Sequence, residues 1–141
     1  MSDPAPRELI SLADDEGNSV AVGIVGPLPV WAGGLRAEIL VRTPFASGRT
    51  DLVLSVSKLR AWAEALDRLA AGEDVAWMEW DRGPTVSIQL TGERDCPEVI
   101  VEDDSSMVTV RVPLVPPDDW IVGHRQRLDR VVDHWVPLLS R

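Results

Sequence analysis

The residue types that most often carry chemistry are sparse in this chain, where His124, His134 and Cys96 are the only imidazoles and the only thiol. The two histidines lie ten residues apart on one amphipathic segment. On a helix they would project about 80° apart and nearly three turns from each other, so they cannot share one metal ion. No His-x-x-x-His or His-Glu-x-x-His pair supplies a zinc-binding face. His124 falls in an apolar stripe, and His134 falls near the segment's C-terminal end, where a cation complements the helix dipole. Both read as structural. Cys96 precedes Pro97 in an acidic stretch, whose negative surroundings make it a poor nucleophile. A single cysteine also leaves no internal disulfide and no multi-cysteine metal site.

Oxygen chemistry fares little better. Asp14-x-Glu16-x-Asn18 places three oxygen side chains at alternate positions, as at the opening of a calcium loop, but the later Gly and bidentate Glu of such a loop are missing. A polar hairpin turn explains the same residues. No Gly-x-Ser-x-Gly elbow, Walker loop or Gly-x-Gly-x-x-Gly fingerprint occurs, and Gly33-Gly34 follows a loop instead of a strand. The remaining carboxylates fall mostly in turns, where no pocket separates their pKa values for acid–base work. No catalytic residue, cofactor or metal is expected, and the chain does not read as an enzyme.

Charge and tryptophan point to binding instead. Net charge is −9, and between Glu73 and Asp119 twelve acidic residues face three arginines, while acids and bases balance over the rest. A field of that sign repels phosphate backbones and anionic lipid surfaces and attracts basic partners. Nucleic acid and membrane are therefore not expected as partners, and a basic protein is. Six tryptophans occur with no Tyr and one Phe. Trp62, Trp120 and Trp135 fall on helical apolar stripes and read as core. Trp77 shares a strand face with Glu79, whereas Trp80 shares one with Met78 and Ala76, so Trp77 is expected to be the more exposed. Trp31 sits in a Pro- and Gly-rich apolar loop. The expected partner-binding residues are Trp77, Glu79, Asp81, Glu102, Asp103, Asp104, Asp118, Asp119 and Trp31, gathered into one acidic patch.

The elements that must position these residues follow from periodicity. Arg7 to Ala13 and Asn18 to Val25 read as a hairpin around Asp14-Asp15-Glu16-Gly17. Leu35, Ala37, Ile39 and Val41 alternate with Arg36, Glu38 and Arg42, and after Thr43-Pro44 the alternation resumes at Leu52, Leu54 and Val56. Ser57 reads as the N-cap of a helix carrying Leu59, Trp62, Ala63, Leu66, Leu69 and Ala70 on one side and stopping at Gly72. Strands return at 75–80, 85–90, 98–102 and 107–114. A second helix begins at Pro116-Pro117-Asp118-Asp119, whose carboxylates suit its first turn, and stops before Pro137. The fold class is α+β, a mainly antiparallel sheet of about eight strands with two helices packed on it, ββββα twice. Residues 1–141 are expected to form a single domain with pseudo-halves 1–72 and 73–141.

Length and composition set the frame for that fold. A chain of 141 residues with 45% hydrophobic and 26% charged residues is long enough for one unstapled core. Its apolar runs are too short to span a bilayer, which needs about 20 consecutive apolar residues. The opening MSDPAPRELISL is not that of a secretory signal, so the cytoplasm is expected. Thirteen arginines against the single Lys58 suit a GC-rich bacterial genome.

The strings LISLADDEGNSVAV, LRAEILVRTPFASGRTDLVLSVSKLRAWAEALDRLAAGEDVAW and VIVEDDSSMVTVRVPL, followed by an acidic-Trp helix, resemble a family from Streptomyces-type actinomycetes, domain of unknown function 5959. The resemblance covers nearly the whole chain and implies no activity and no catalytic residue. More remotely, the layout of hairpin strands, a Leu-Trp-Leu helix and further strands is similar to WapI-type immunity proteins, which implies a protein partner. Two functions follow as expectations. One is a non-catalytic protein-binding module, an immunity or antitoxin-like inhibitor that captures a basic partner. The other is a small-molecule-binding or accessory domain with a pocket between sheet and helix and Trp31 as its lid.

Overall fold

The computed structural model describes residues 5–79, 83–92 and 95–139. The eight strands and two long helices read from the sequence are present, and the strands divide into two four-stranded antiparallel sheets. The first sheet has β1 (Glu8–Ala13), β2 (Ser19–Pro27), β3 (Gly34–Arg42) and β4 (Ser47–Ser55) in sequence order. The second has β5 (Val75–Trp77), β6 (Thr85–Gln89), β7 (Glu98–Asp103) and β8 (Val108–Pro113), also in sequence order. Helix α1 (Val56–Ala70) follows β4, and α2 (Trp120–Trp135) follows β8.

Apolar rows cross each sheet on its inner face. In the first sheet the rows Val20–Val41–Gly48, Val22–Ile39–Thr50 and Ile24–Ala37–Leu52 lie across β2, β3 and β4. In the second, Trp77–Val86–Val101–Val110 and Val75–Ile88–Val99–Val112 lie across β5 to β8. One core joins these two faces to Leu59, Trp62, Leu66 and Leu69 of α1 and to Leu128, Val131 and Trp135 of α2. The ββββα order thus occurs twice, and residues from both sheets and both helices share one core.

Helix α1 starts two residues earlier than the sequence suggests. The Ser55 hydroxyl, not that of Ser57, accepts the Lys58 N–H at 3.3 Å, so Val56 belongs to the helix and not to the strand. Gly72, with φ +85°, provides the left-handed residue just beyond the end. Helix α2 starts only at Trp120, so Asp118 and Asp119 precede its first turn, which holds no acidic residue, and Asp119 at the N-cap makes no side-chain capping bond.

Side-chain bonds fasten α2 along β1. Arg127 pairs with Glu8 at 3.2 Å, and the Trp135 indole N–H donates to the Pro6 carbonyl at 2.7 Å. The helices are linked to each other by Arg125 and Asp67 at 2.9 Å. Among the described residues no helix is long and apolar enough to cross a membrane.

Candidate functional site

Trp77, expected on the surface, is 2% exposed. The reason is local: Met78 adopts φ +68°, which ends β5 and breaks the two-residue alternation on which its pairing with Glu79 depended. Trp77 and Met78 are therefore both buried, and Glu79 is exposed beyond the strand end. The Trp77 ring lies 5.2 Å from that of Trp62, and its indole N–H donates to the Lys58 carbonyl at 2.9 Å. Trp80 and Asp81 lie outside the described residues.

The same cluster accounts for His124. Its ring meets Trp62 and Trp120 edge-on at 6.4 and 5.7 Å. Its Nδ1 lies 2.6 Å from the Trp120 carbonyl, which requires a proton on that nitrogen, and its Nε2 accepts the Ser11 N–H at 3.1 Å. Both nitrogens of a neutral imidazole are thus occupied, and burial lowers the pKa while the Trp120 carbonyl opposes that shift. The structural reading of His124 holds. The Asp14 carboxylate is likewise consumed by its own turn, accepting the N–H groups of Glu16 and Asn18 and the Asn18 side-chain amide. The bond from the Asn18 amide is the chief reason its pKa is lowered. Among the described residues no group of three or more His, Cys, Asp or Glu could hold a metal ion.

Among the described residues the acidic side chains do not form one patch. Glu102 and Asp103 are successive residues of β7, so their side chains leave opposite faces of the sheet. Asp103 and Asp104 lie at the β7–β8 hairpin, whereas Asp118 and Asp119 follow the far end of β8, about 20 Å along the strand direction. Glu98, also counted in the acidic stretch, is buried and joined to Arg111 at 2.6 Å. Trp31 is 88% exposed in a single 3-10 turn (Val30–Ala32) and is not among the residues that line the inter-sheet cleft.

What the fold does build is a cleft between the two sheets at their hairpin-tip end. Ile39 and Val41 of β3 face Val101, Val108 and Val110 of β7 and β8 across a volume of about 300 Å³. The cleft opens because the row Val20–Val41–Gly48 ends on a residue without a side chain, and a Cβ built on Gly48 meets nothing within 4 Å. Thr50, Asp103 and Ser106 line it as polar groups. The hydroxyls of Ser106 and Ser105 donate to Asp103 at 2.7 and 3.0 Å and hold its carboxyl below the ordinary range, Ser106 contributing most. Two large apolar side chains stand free on the adjoining turns: Phe45, 98% exposed, and Met107, 90% exposed with φ +59°. Residue-by-residue reading missed this site because its walls come from strands about 60 residues apart, and only Gly48 within an apolar alternation hinted at missing volume.

Fold and cleft together define a two-sheet α+β fold open at one end, with its helices tied to each other and α2 tied to β1. The chain belongs to the family described as "Family of unknown function (DUF5959)", whose model matches residues 7–136. No curated protein matches the sequence.

Proposed function

We propose that the chain is a non-catalytic binding domain whose inter-sheet cleft takes the apolar body of a small ligand, with a hydrogen-bond-donating head placed at Asp103. The observation that carries the reading is the cleft itself. Its volume of about 300 Å³ lies at the lower end of the range usual for ligand sites, and aliphatic walls with a few convergent polar groups are their usual lining. Asp103, kept ionised by two serine hydroxyls, accepts hydrogen bonds and favours a cationic head over an anionic one. The occupied nitrogens of His124 and the closed Asp14 turn leave neither group placed for catalysis.

A thermal-shift screen with amphiphilic amines and uncharged apolar compounds tests this reading, paired with a Gly48→Leu variant. The leucine enters open space without backbone strain, so the melting temperature of the free variant should stay within a few degrees of wild type. Ligands that stabilise wild type should fail to stabilise the variant. Equal shifts in both proteins, or none in wild type, would refute the assignment.

A second reading is favoured by the β7–β8 tip, where Glu102 and Asp104 are exposed beside Met107. Carboxylates around a free apolar side chain suit capture of a basic protein, as by an immunity protein, with salt-sensitive association. Capture from the host at low salt that survives Glu102→Lys with Asp104→Lys would reject it.

A further inference from the structure

We propose that a second copy of this chain pairs with the free edge of β4, joining the two first sheets of a symmetric dimer. Strand β4 is the last strand of its sheet, and Ser47, Gly48, Arg49 and Asp51 are exposed. The β3–β4 turn is closed by the Thr43 N–H bonding to the Ala46 carbonyl at 2.8 Å. In an antiparallel ladder the inward bonds then fall on every second residue, at Gly48, Thr50, Leu52 and Leu54. The backbone groups of Arg49, Asp51 and Val53 point away from β3. Lys58 confirms the direction, because its ammonium donates to the Val53 carbonyl at 2.8 Å and closes that end of the edge. Among the described residues the outward backbone groups of Arg49 and Asp51 have no partner.

Two copies of this edge are self-complementary about Thr50. Antiparallel pairing centred there sets Arg49 of each copy opposite Asp51 of the other, and both residues have outward-facing backbone groups. The contact therefore contains two hydrogen-bonded pairs, each exchanging two N–H···O bonds. The same register pairs each guanidinium with a carboxylate on the outer face, where Arg49 lies 3.6 Å from Glu38. Any shift by two residues loses this charge match. Phe45, 98% exposed, falls opposite Ser55 of the copy, close to Val53, itself 46% exposed. A two-fold axis makes such a contact closed, so it stops at two chains.

Sedimentation velocity across a concentration series tests the pairing. Wild type should move from monomer to dimer around a concentration of about 100 µM, as suits a small polar contact. Arg49→Asp places acids opposite acids and Asp51→Arg places bases opposite bases, so each variant alone should associate at least about tenfold more weakly. Mixing the two in equal amounts restores both ion pairs and should restore the dimer mass, as should Arg49→Asp combined with Asp51→Arg in one chain. Both positions are exposed, so unchanged circular dichroism will show that the variants fold. Monomeric wild type throughout, a mixture that stays monomeric, or single variants that dimerise like wild type would each overturn the proposal.

Discussion

Lowering the pH should weaken the fold through His124. Its Nε2 accepts a backbone N–H from β1, and its Nδ1 proton points at a carbonyl of its own helix. A second proton would set one N–H against another in a buried site beside Trp62, with Arg127 disfavouring the extra charge and Glu8 favouring it. The folded pKa is accordingly lowered from 6.5, burial being the largest cause. The unfolded chain then takes up the proton first as pH falls. The stabilising contribution is complete above about pH 6.5, drains below it, and is spent once the pH has passed through the folded value. Within that window one differential proton is worth about 1.4 kcal/mol per pH unit. Urea unfolding of wild type and His124→Gln at half-unit steps from pH 8 to pH 5 isolates the effect. Glutamine can still accept the Ser11 N–H but loses the bond to Trp120, so it should start about 1–3 kcal/mol less stable. The gap between the two proteins should then narrow below pH 6.5. A constant gap across the range would show that His124 does not titrate differently on folding.

Two further substitutions separate packing from hydrogen bonding. Trp62 is fully buried and its indole nitrogen has no hydrogen-bond partner among the described residues, so Trp62→Phe removes an unmet N–H and should cost less than Trp77→Phe. The latter removes one of two bonds accepted by the Lys58 carbonyl, which keeps its helical bond within α1, and should cost about 1 kcal/mol, measured by urea midpoint. Gly92→Ala should destabilise by more than 1 kcal/mol in the same assay, since the new Cβ would lie 2.4 Å from Cδ of the buried Glu98.

The elements were legible because each carries its own period. Leu35 to Arg42 alternates cleanly, and Leu59, Trp62, Leu66 and Leu69 recur at helical spacing, so no tertiary knowledge was needed to place β3 or α1. Ends were harder. Ser55 and Ser57 are both plausible caps two residues apart, and in the structure their hydroxyls contact each other at 2.9 Å, so composition alone does not choose between them. Trp77 went astray because the periodic argument assumes a strand that continues, and a methionine in a left-handed conformation is not a signal that sequence reading anticipates. The acidic patch failed for a related reason. Proximity in sequence between Glu73 and Asp119 says nothing of which sheet face or which hairpin end each carboxylate occupies.

The open end of the molecule follows from how the two halves close on each other. Four strands border the sheets: β1, β4, β5 and β8. Helix α2 lies along β1 and fills an outward N–H of that strand through His124. Strand β5 is only three residues long and packs against α1. The helices therefore serve the β1 and β5 edges, and the fourth strand of each half is left uncovered at its hairpin end. That is where Gly48 removes a side chain from the apolar row and where Val108 is left exposed, so the cleft and the free β4 edge lie at the same end. Extending a helix to cover this end would close both. A sheet pair whose order or helix lengths differed would expose another end, which ties the proposed ligand site and the proposed dimer contact to this topology instead of to the total acidity of the chain.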